Sequence, residues 1–456
     1  MAARPLPWPA IVAAGAALGV AYTLSPLTVL SLGALLWLAH WAGRDLAGRE
    51  QRWYWSLVVT ALVTRLVVIA GLFLLADPSQ PYATLFGDEE LFKSRAMWVR
   101  NIGLGIPISP ADMIYSYDPV GRGGYLFFLA YLQALVGFAP YGAHVMNASL
   151  YVAGTLVLYR LVRPAYGAAV AIGGLATLLF LPSLFMWSVS MLKEPMYSLV
   201  AAVELVLATL IVRAPRNVQK VLALAGVIAC AGLLAGLRTG GALVPAAGVS
   251  AGLVIAYVAT RPRALLALAV AGPLLLAVAL AQSSVQARLL TLARESARYH
   301  AGHVLTPGYS YRLIDPRFYG EWNTIHTMPP REAGAFVVKA MANYFVQPLP
   351  WNLSSTSLRA YLPEQLIWYA MILLAPLGLA AGFRINPVLT GMLAAHAAAV
   401  IVLVALNSGN IGTLIRHRGL ALPYLVWLSV LGACEGLRRL TRHQTLTDKE
   451  TRHATS

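Results

Sequence analysis

The chain has 456 residues, of which 59% are hydrophobic and only 11% charged, with 34 Lys and Arg against 18 Asp and Glu and a formal net charge of +16. A soluble protein of this length could not hide so much apolar surface, so the composition excludes a soluble enzyme and indicates an all-α polytopic membrane protein. The excess of positive charge does not point to nucleic acid, because the basic residues fall in short clusters between apolar runs, where topology signals lie.

Apolar runs long enough to cross a bilayer are predicted near 8–24, 26–42, 54–76, 143–160, 166–184, 195–213, 221–237, 241–259, 264–282, 364–382, 386–406 and 419–436, which makes about twelve membrane helices. The first two runs follow each other at once, so the N-terminus reads as a retained helical hairpin (1–53) and not as a cleaved signal peptide. With the N-terminus in the cytoplasm, every short cytoplasmic connection carries a basic residue: Arg44, Arg49 and Arg52, then Arg160 and Arg163, then Arg213, Arg216 and Lys220, then Arg261 and Arg263, then Arg384, and the tail 438–456. Both termini are then cytoplasmic. The other face receives two long segments, 77–142 within the core 54–282, and 283–363 ahead of the last helices at 364–437. Gly124–Phe138 is apolar but reads as a helix lying in the outer interface, a depth that suits Tyr125, Phe127, Phe128 and Tyr131. The tail from Thr441 is polar and reads as disordered.

Candidate chemistry gathers on the outer side. Gly87-Asp88-Glu89-Glu90 places three carboxylates just past a span in a chain poor in acids. One of them, Asp88 by preference, suits a general base, although a solvated acidic loop gives the same pattern. Asp118 lies in Tyr115-Ser116-Tyr117-Asp118-Pro119, where Pro and nearby Gly exclude a regular helix. Lys193 and Glu194 sit between two apolar runs, as a lining for the same site or a local ion pair. Arg238 between glycines, and Arg416 and Arg418 around His417, suit either phosphate contact or snorkelling into headgroups. Only Arg65 is read as lying well inside a span. Segment 283–363, rich in aromatics and broken by Pro329-Pro330, is too short for an enzyme domain and reads as a lid. Its His300, His303 and His326 are too scattered for a metal site. Cys230 and Cys434, both within apolar runs, imply neither a disulfide framework nor a metal site.

Several short motifs follow in order: Gly87-Asp88-Glu89 directly after a span, Gly123-Gly124-Tyr125-Leu126-Phe127-Phe128-Leu129-Ala130, Asn147-Ala148-Ser149-Leu150 leading to Tyr159-Arg160-Leu161-Val162-Arg163, and Leu181-Pro182-Ser183 with Lys193-Glu194-Pro195. This order resembles the GT-C superfamily of membrane glycosyltransferases, in particular the protein mannosyltransferase and aminoarabinose transferase branch, over about residues 54–240 and the arginine turn at 416–418. The resemblance implies a GT-C-like bundle in the inner membrane. It implies a polyprenyl-phosphate sugar donor, an extracytoplasmic lipid, glycan or protein acceptor, and inversion at the anomeric carbon. Asp88 takes the place of the catalytic base with Glu89 beside it, and Asp118 that of a second acid of the loop. Lys193, Glu194, Arg238, Arg416 and Arg418 would line the substrate site. The branch implies no cofactor; a divalent metal stays open, since other GT-C branches bind one through acidic residues. The alternatives are a polymerase or ligase of surface polysaccharide that depends on Arg416 and Arg418, a transporter of lipid-linked sugar, and a membrane scaffold.

Overall fold

The computed structural model describes residues 25–76, 85, 87–116, 123–137, 139–306, 308–351 and 355–454, with Trp8, residues 12–16 and Gly19 ahead of them. Among these residues the regular structure is helical, with no strand beyond an isolated antiparallel bridge between Ser310 and Asn410. In order, the helices are α1 (Pro26–Gly43), α2 (Gly48–Leu75), α3 (Gly87–Gly103), α4 (Pro110–Ser116), α5 (Gly124–Val136), α6 (Pro140–Tyr166), α7 (Ala168–Phe180), α8 (Pro182–Ser188), α9 (Glu194–Arg213), α10 (Asn217–Leu237), α11 (Leu243–Ala259) and α12 (Pro262–Ala281). They continue with α13 (Ser283–Leu305), α14 (Arg317–Gly320), a 3-10 turn (Trp322–Thr327), α15 (Pro330–Val346), α16 (Thr356–Ile385), α17 (Pro387–Asn407), α18 (Ile411–Arg418) and α19 (Leu422–Ala454).

Eight of these helices are long and apolar enough to cross a membrane, or up to ten if each of two bent pairs, α7 with α8 and α18 with α19, is one span. The chain is therefore a multi-pass helical membrane protein, with fewer clear spans than the expected twelve. The run 8–24 lies mostly outside the described residues, and α11, at 17 residues, stops just short of a span. Helix α5 has 13 residues, about 20 Å at the helical rise, too little to cross and compatible with an interfacial position.

Two compact units divide the chain: Met1–Arg160, Leu179–Glu204 and Ile228–Gly241 form the first, and Leu161–Leu178, Leu205–Val227 and Ala242–Ser456 the second. In the first unit, Pro182 has no N–H to continue α7, and the chain bends by 62° into α8. Arg65, fully buried on α2, fills this break: Nη2 donates to the Leu179 carbonyl at 2.9 Å, Nε to Ser188 Oγ at 2.8 Å and Nη1 to the Ala61 carbonyl at 3.0 Å. Its guanidinium also packs on the Phe185 ring, 4.7 Å from the centroid. A cation at the C-terminal end of α7 suits the helix dipole, so the arginine read as the lone intramembrane charge is a structural clamp. It is not the lone one. Glu204, inside the apolar run of α9, is also fully buried.

The second unit is built on close helix pairs. Gly248 and Gly252 of α11 lie against His396 and Met392 of α17, and Gly378 of α16 and Gly432 of α19 meet the Leu428 and Leu374 carbonyls. Small residues at one-turn spacing let membrane helices approach in this way. Segment 283–363 has its own core, in which Ala297, Ala301 and Val304 of α13 pack with Phe318, Ile325, Met328 and Phe336. His300 sits inside it. Its Nδ1–H donates to the Ser408 carbonyl at 2.7 Å, and Nε2 lies 3.2 Å from the Tyr319 hydroxyl, which accepts the Leu313 N–H at 2.8 Å. Burial holds the His300 ring down at about 4, against the Ser408 hydrogen bond, which favours the charged form.

The tail departs from expectation: α19 runs on as helix to Ala454. After Gly436 the segment has no Gly or Pro to stop it, and Glu435 pairs with Arg439 one turn on at 3.0 Å.

Candidate functional site

The acidic triplet forms the first turn of α3, where unpaired backbone N–H groups and the helix dipole favour negative charge. The helix turns its three carboxylates in different directions. Asp88 and Glu90 are exposed, whereas Glu89 is fully buried. Glu89 Oε1 accepts the N–H of Leu85 at 2.9 Å, and Oε2 accepts the N–H of Met191 at 2.9 Å. One carboxylate thus caps its own helix and ties it to the irregular stretch between α8 and α9.

The Lys93 ammonium and the His144 ring face Glu89. Lys93, one turn along α3 and 2% exposed, holds Nζ 3.9 Å from Oε2. Burial pushes the Lys93 ammonium down to about 8, while Glu89 and then Glu90 pull it back toward the charged form. His144 of α6 donates Nδ1–H to the Val189 carbonyl at 2.6 Å, which leaves Nε2 facing Glu89 Oε2 at 3.8 Å with no hydrogen-bond partner. The same stretch is held one turn further along α6, where Asn147 Nδ2 donates to the Ser190 and Leu192 carbonyls at 2.8 Å each and Oδ1 receives the Tyr125 hydroxyl at 3.2 Å. Glu89, His144 and Asn147 therefore all bond to the backbone of residues 189–192.

That stretch delivers the expected Lys193 and Glu194. Lys193 Nζ lies 5.9 Å from the centroid of the Phe92 ring on α3. Glu194 opens α9, is 5% exposed, and has Oε1 3.8 Å from Nη1 of the partly exposed Arg238. Arg238 is brought in by α10, whose end meets α5 so closely that a Cβ on Gly124 would stand 2.6 Å from the Gly236 carbonyl. Beside Lys93 and Met191, a narrow apolar cleft with Gln133 as its other polar member encloses ≈ 20 Å³, about one water.

The first unit therefore joins four of the expected residues, Glu89, Lys193, Glu194 and Arg238, with Asp88 on the open side of the same helix turn. Asp118 lies outside the described residues. Helix α4 takes in Tyr115 and Ser116 of its motif before ending. Arg416 and Arg418 belong to the second unit. Arg418, 2% exposed, is spent on structure: Nη1 donates to Gln365 Oε1 at 3.1 Å, Nη2 donates to the Tyr344 and Gln347 carbonyls, and the Trp368 ring stacks at 4.6 Å. Nη1 and Nη2 tie the end of α15 to α16, while the buried Nε has no hydrogen-bond partner. Arg416 is half-buried on the same short helix. Sequence reasoning gave no site role to Lys93, His144 or Asn147, although Asn147 lies in one of the quoted motifs. The spacing of Glu89 and Lys93, four residues apart on a helix, was the available signal for the first. Among the described residues no three His, Cys, Asp or Glu side chains gather as a metal site would need. Comparison with known families, with curated proteins and with solved structures finds no match to this chain.

Proposed function

We propose that the protein is an integral membrane glycosyltransferase of GT-C type that moves a sugar from a polyprenyl-phosphate donor to an acceptor hydroxyl or amine. The observation that carries the reading is the first turn of α3, which presents the exposed carboxylates Asp88 and Glu90, while Glu89 between them locks that turn to the stretch leading into Lys193 and Glu194. In this reading both termini are cytoplasmic and the site faces away from the cytoplasm of an inner-membrane protein.

Asp88 takes the proton of the acceptor as the acceptor atom attacks the anomeric carbon. The bond from that carbon to the phosphate oxygen breaks, its electron pair passes to the phosphate, and configuration inverts. Lys193 and Arg238 stabilise the growing phosphate charge, with Glu194 fixing the direction of Arg238. Glu89 positions; buried and saturated by two amides and Lys93, it does not touch substrate.

The test is sugar transfer from a panel of radiolabelled polyprenyl-phosphate sugars by membranes holding wild type or Asp88→Asn at equal expression. Loss of at least 100-fold in the variant is expected from removing a general base. Unchanged transfer would remove Asp88 from the mechanism. A second reading, transport of a lipid-linked sugar, draws on the helix broken at Pro182 and the buried charges Arg65 and Glu204. It predicts movement of labelled lipid-linked sugar across proteoliposomes without any new glycosidic bond.

A further inference from the structure

Away from this network, the polar segment between α12 and α16 carries a pocket of ≈ 330 Å³. One face of α13 supplies Thr291, Arg294, Glu295 and Arg298, at the spacing of successive helical turns, and the 3-10 turn supplies Asn323 and His326. The pocket has a fixed cation. Arg294 donates from Nε and Nη2 to the Met328 carbonyl at 3.0 and 2.6 Å, so its guanidinium plane is held and Nη1 remains for a ligand. His326 is oriented too: Nδ1–H donates to the Asn323 carbonyl at 2.6 Å and leaves Nε2 as an acceptor. Arg298 stands one turn from Arg294 on the same face, so both guanidinium groups line the pocket within reach of one anion.

We propose that this pocket binds a single anionic sugar unit, a hydroxylated ring carrying one phosphate or carboxylate. The two arginines take the anion; Thr291, Glu295, Asn323 and His326 take ring hydroxyls. The volume lies at the small end of ligand sites, where one hexose derivative fits. The inference holds for any activity of the first unit and does not rest on the transferase reading. The same chemistry occurs at the end of an anionic glycan and in the headgroup of an inositol phospholipid.

The experiment is isothermal titration of the full chain in detergent micelles with glucose 6-phosphate and with glucuronate, beside glucose and inorganic phosphate as controls. Saturable binding of one anionic sugar, at least tenfold tighter than either control, is expected. Arg298→Gln, an exposed position, should weaken it at least tenfold at an unchanged melting temperature, and hydrogen exchange should slow at 291–298 and 323–328 on binding. Absence of saturable binding by both anionic sugars overturns the proposal, as does affinity unaffected by Arg298→Gln. Inorganic phosphate binding as tightly as glucose 6-phosphate also overturns it, leaving a bare anion site. Competition by phosphatidylinositol in nanodiscs assigns the headgroup as the source, and lack of competition assigns a soluble glycan; both follow only if the pocket binds as stated.

Discussion

Two irregular stretches of this protein are each fastened by one buried charge, and they are fastened in opposite senses. In the first unit the carboxylate of Glu89 accepts backbone N–H groups from Leu85 and Met191. In the second the guanidinium of Arg418 donates to the carbonyls of Tyr344 and Gln347. Each charge recovers its desolvation cost from the main chain, which has no other partner at a helix end. The difference lies in what is left over. Glu89 is one of three adjacent carboxylates, and helical geometry turns Asp88 and Glu90 outward, so an anchor and an open acid come from the same turn. Arg418 spends its fork on structure. The lesson is that a run of like charges reads ambiguously: one member can hold the fold while its neighbours face outward.

The largest effect should come from breaking the cationic anchor. Arg418→Ala strips donors from two carbonyls and from Gln365 in a buried site, at a cost of about 3–5 kcal/mol. Arg416→Ala, two residues away and half-buried, should cost less than about 1 kcal/mol. Unfolding of the purified protein by SDS titration measures both, and equal losses would remove the structural distinction drawn between the two arginines. The anionic anchor is next. Glu89→Ala takes the nearest carboxylate from the buried Lys93 and should cost about 3 kcal/mol, whereas the double variant with Lys93→Met should recover at least about 1 kcal/mol of that loss. Strict additivity of the two changes would show that the pair does not interact.

Much of this was legible in the chain, and the limits have physical causes. Apolar run length fixes which segments can span, and most of the expected runs return as helices, from α1 at 26–42 to α17 at 386–406. The break at Leu181-Pro182-Ser183 was legible, because proline cannot continue a helix, although the 62° angle of the bend was not. Glu204 escaped because hydropathy averages over a window, and one carboxylate hardly lowers the mean of an apolar run. The site was legible as composition but not as direction. Asp88, Glu89 and Glu90 are alike in sequence, and only the helix phase separates the buried one from the exposed two. His144 and Asn147 act on backbone groups some forty residues away, a contact that no local spacing announces.

A pH-dependent difference sharpens the contrast between the units. His300 is neutral in the core of segment 283–363, with its titration held near 4 against about 6.5 in the unfolded chain. The unfolded state therefore binds more protons between these values. The stability of the segment is intact above about pH 6.5 and falls as the pH drops toward 4, by about 3 kcal/mol in all. Hydrogen exchange of amides in α13 and α15, followed from pH 7 to pH 4 after correction for intrinsic rates, should show this slope, and His300→Gln should flatten it. A slope that persists in the variant would assign the titration to other groups.

The smallest effect isolates burial as the variable. Arg317 has the same guanidinium as Arg418 and two acidic partners, Glu332 Oε2 at 3.4 Å and Asp315 Oδ1 at 3.8 Å, yet its side chain is 61% exposed. In water these attractions are screened, and holding a long side chain in place costs rotamer entropy. Arg317→Ala should therefore change stability by less than about 0.5 kcal/mol, with the change fading further in 1 M salt. The loss at Arg418 should be insensitive to salt, because its partners are uncharged and enclosed. If the two variants were to lose similar amounts, partner number would outweigh enclosure, and the account given of both anchors would have to be rebuilt on hydrogen-bond counts alone.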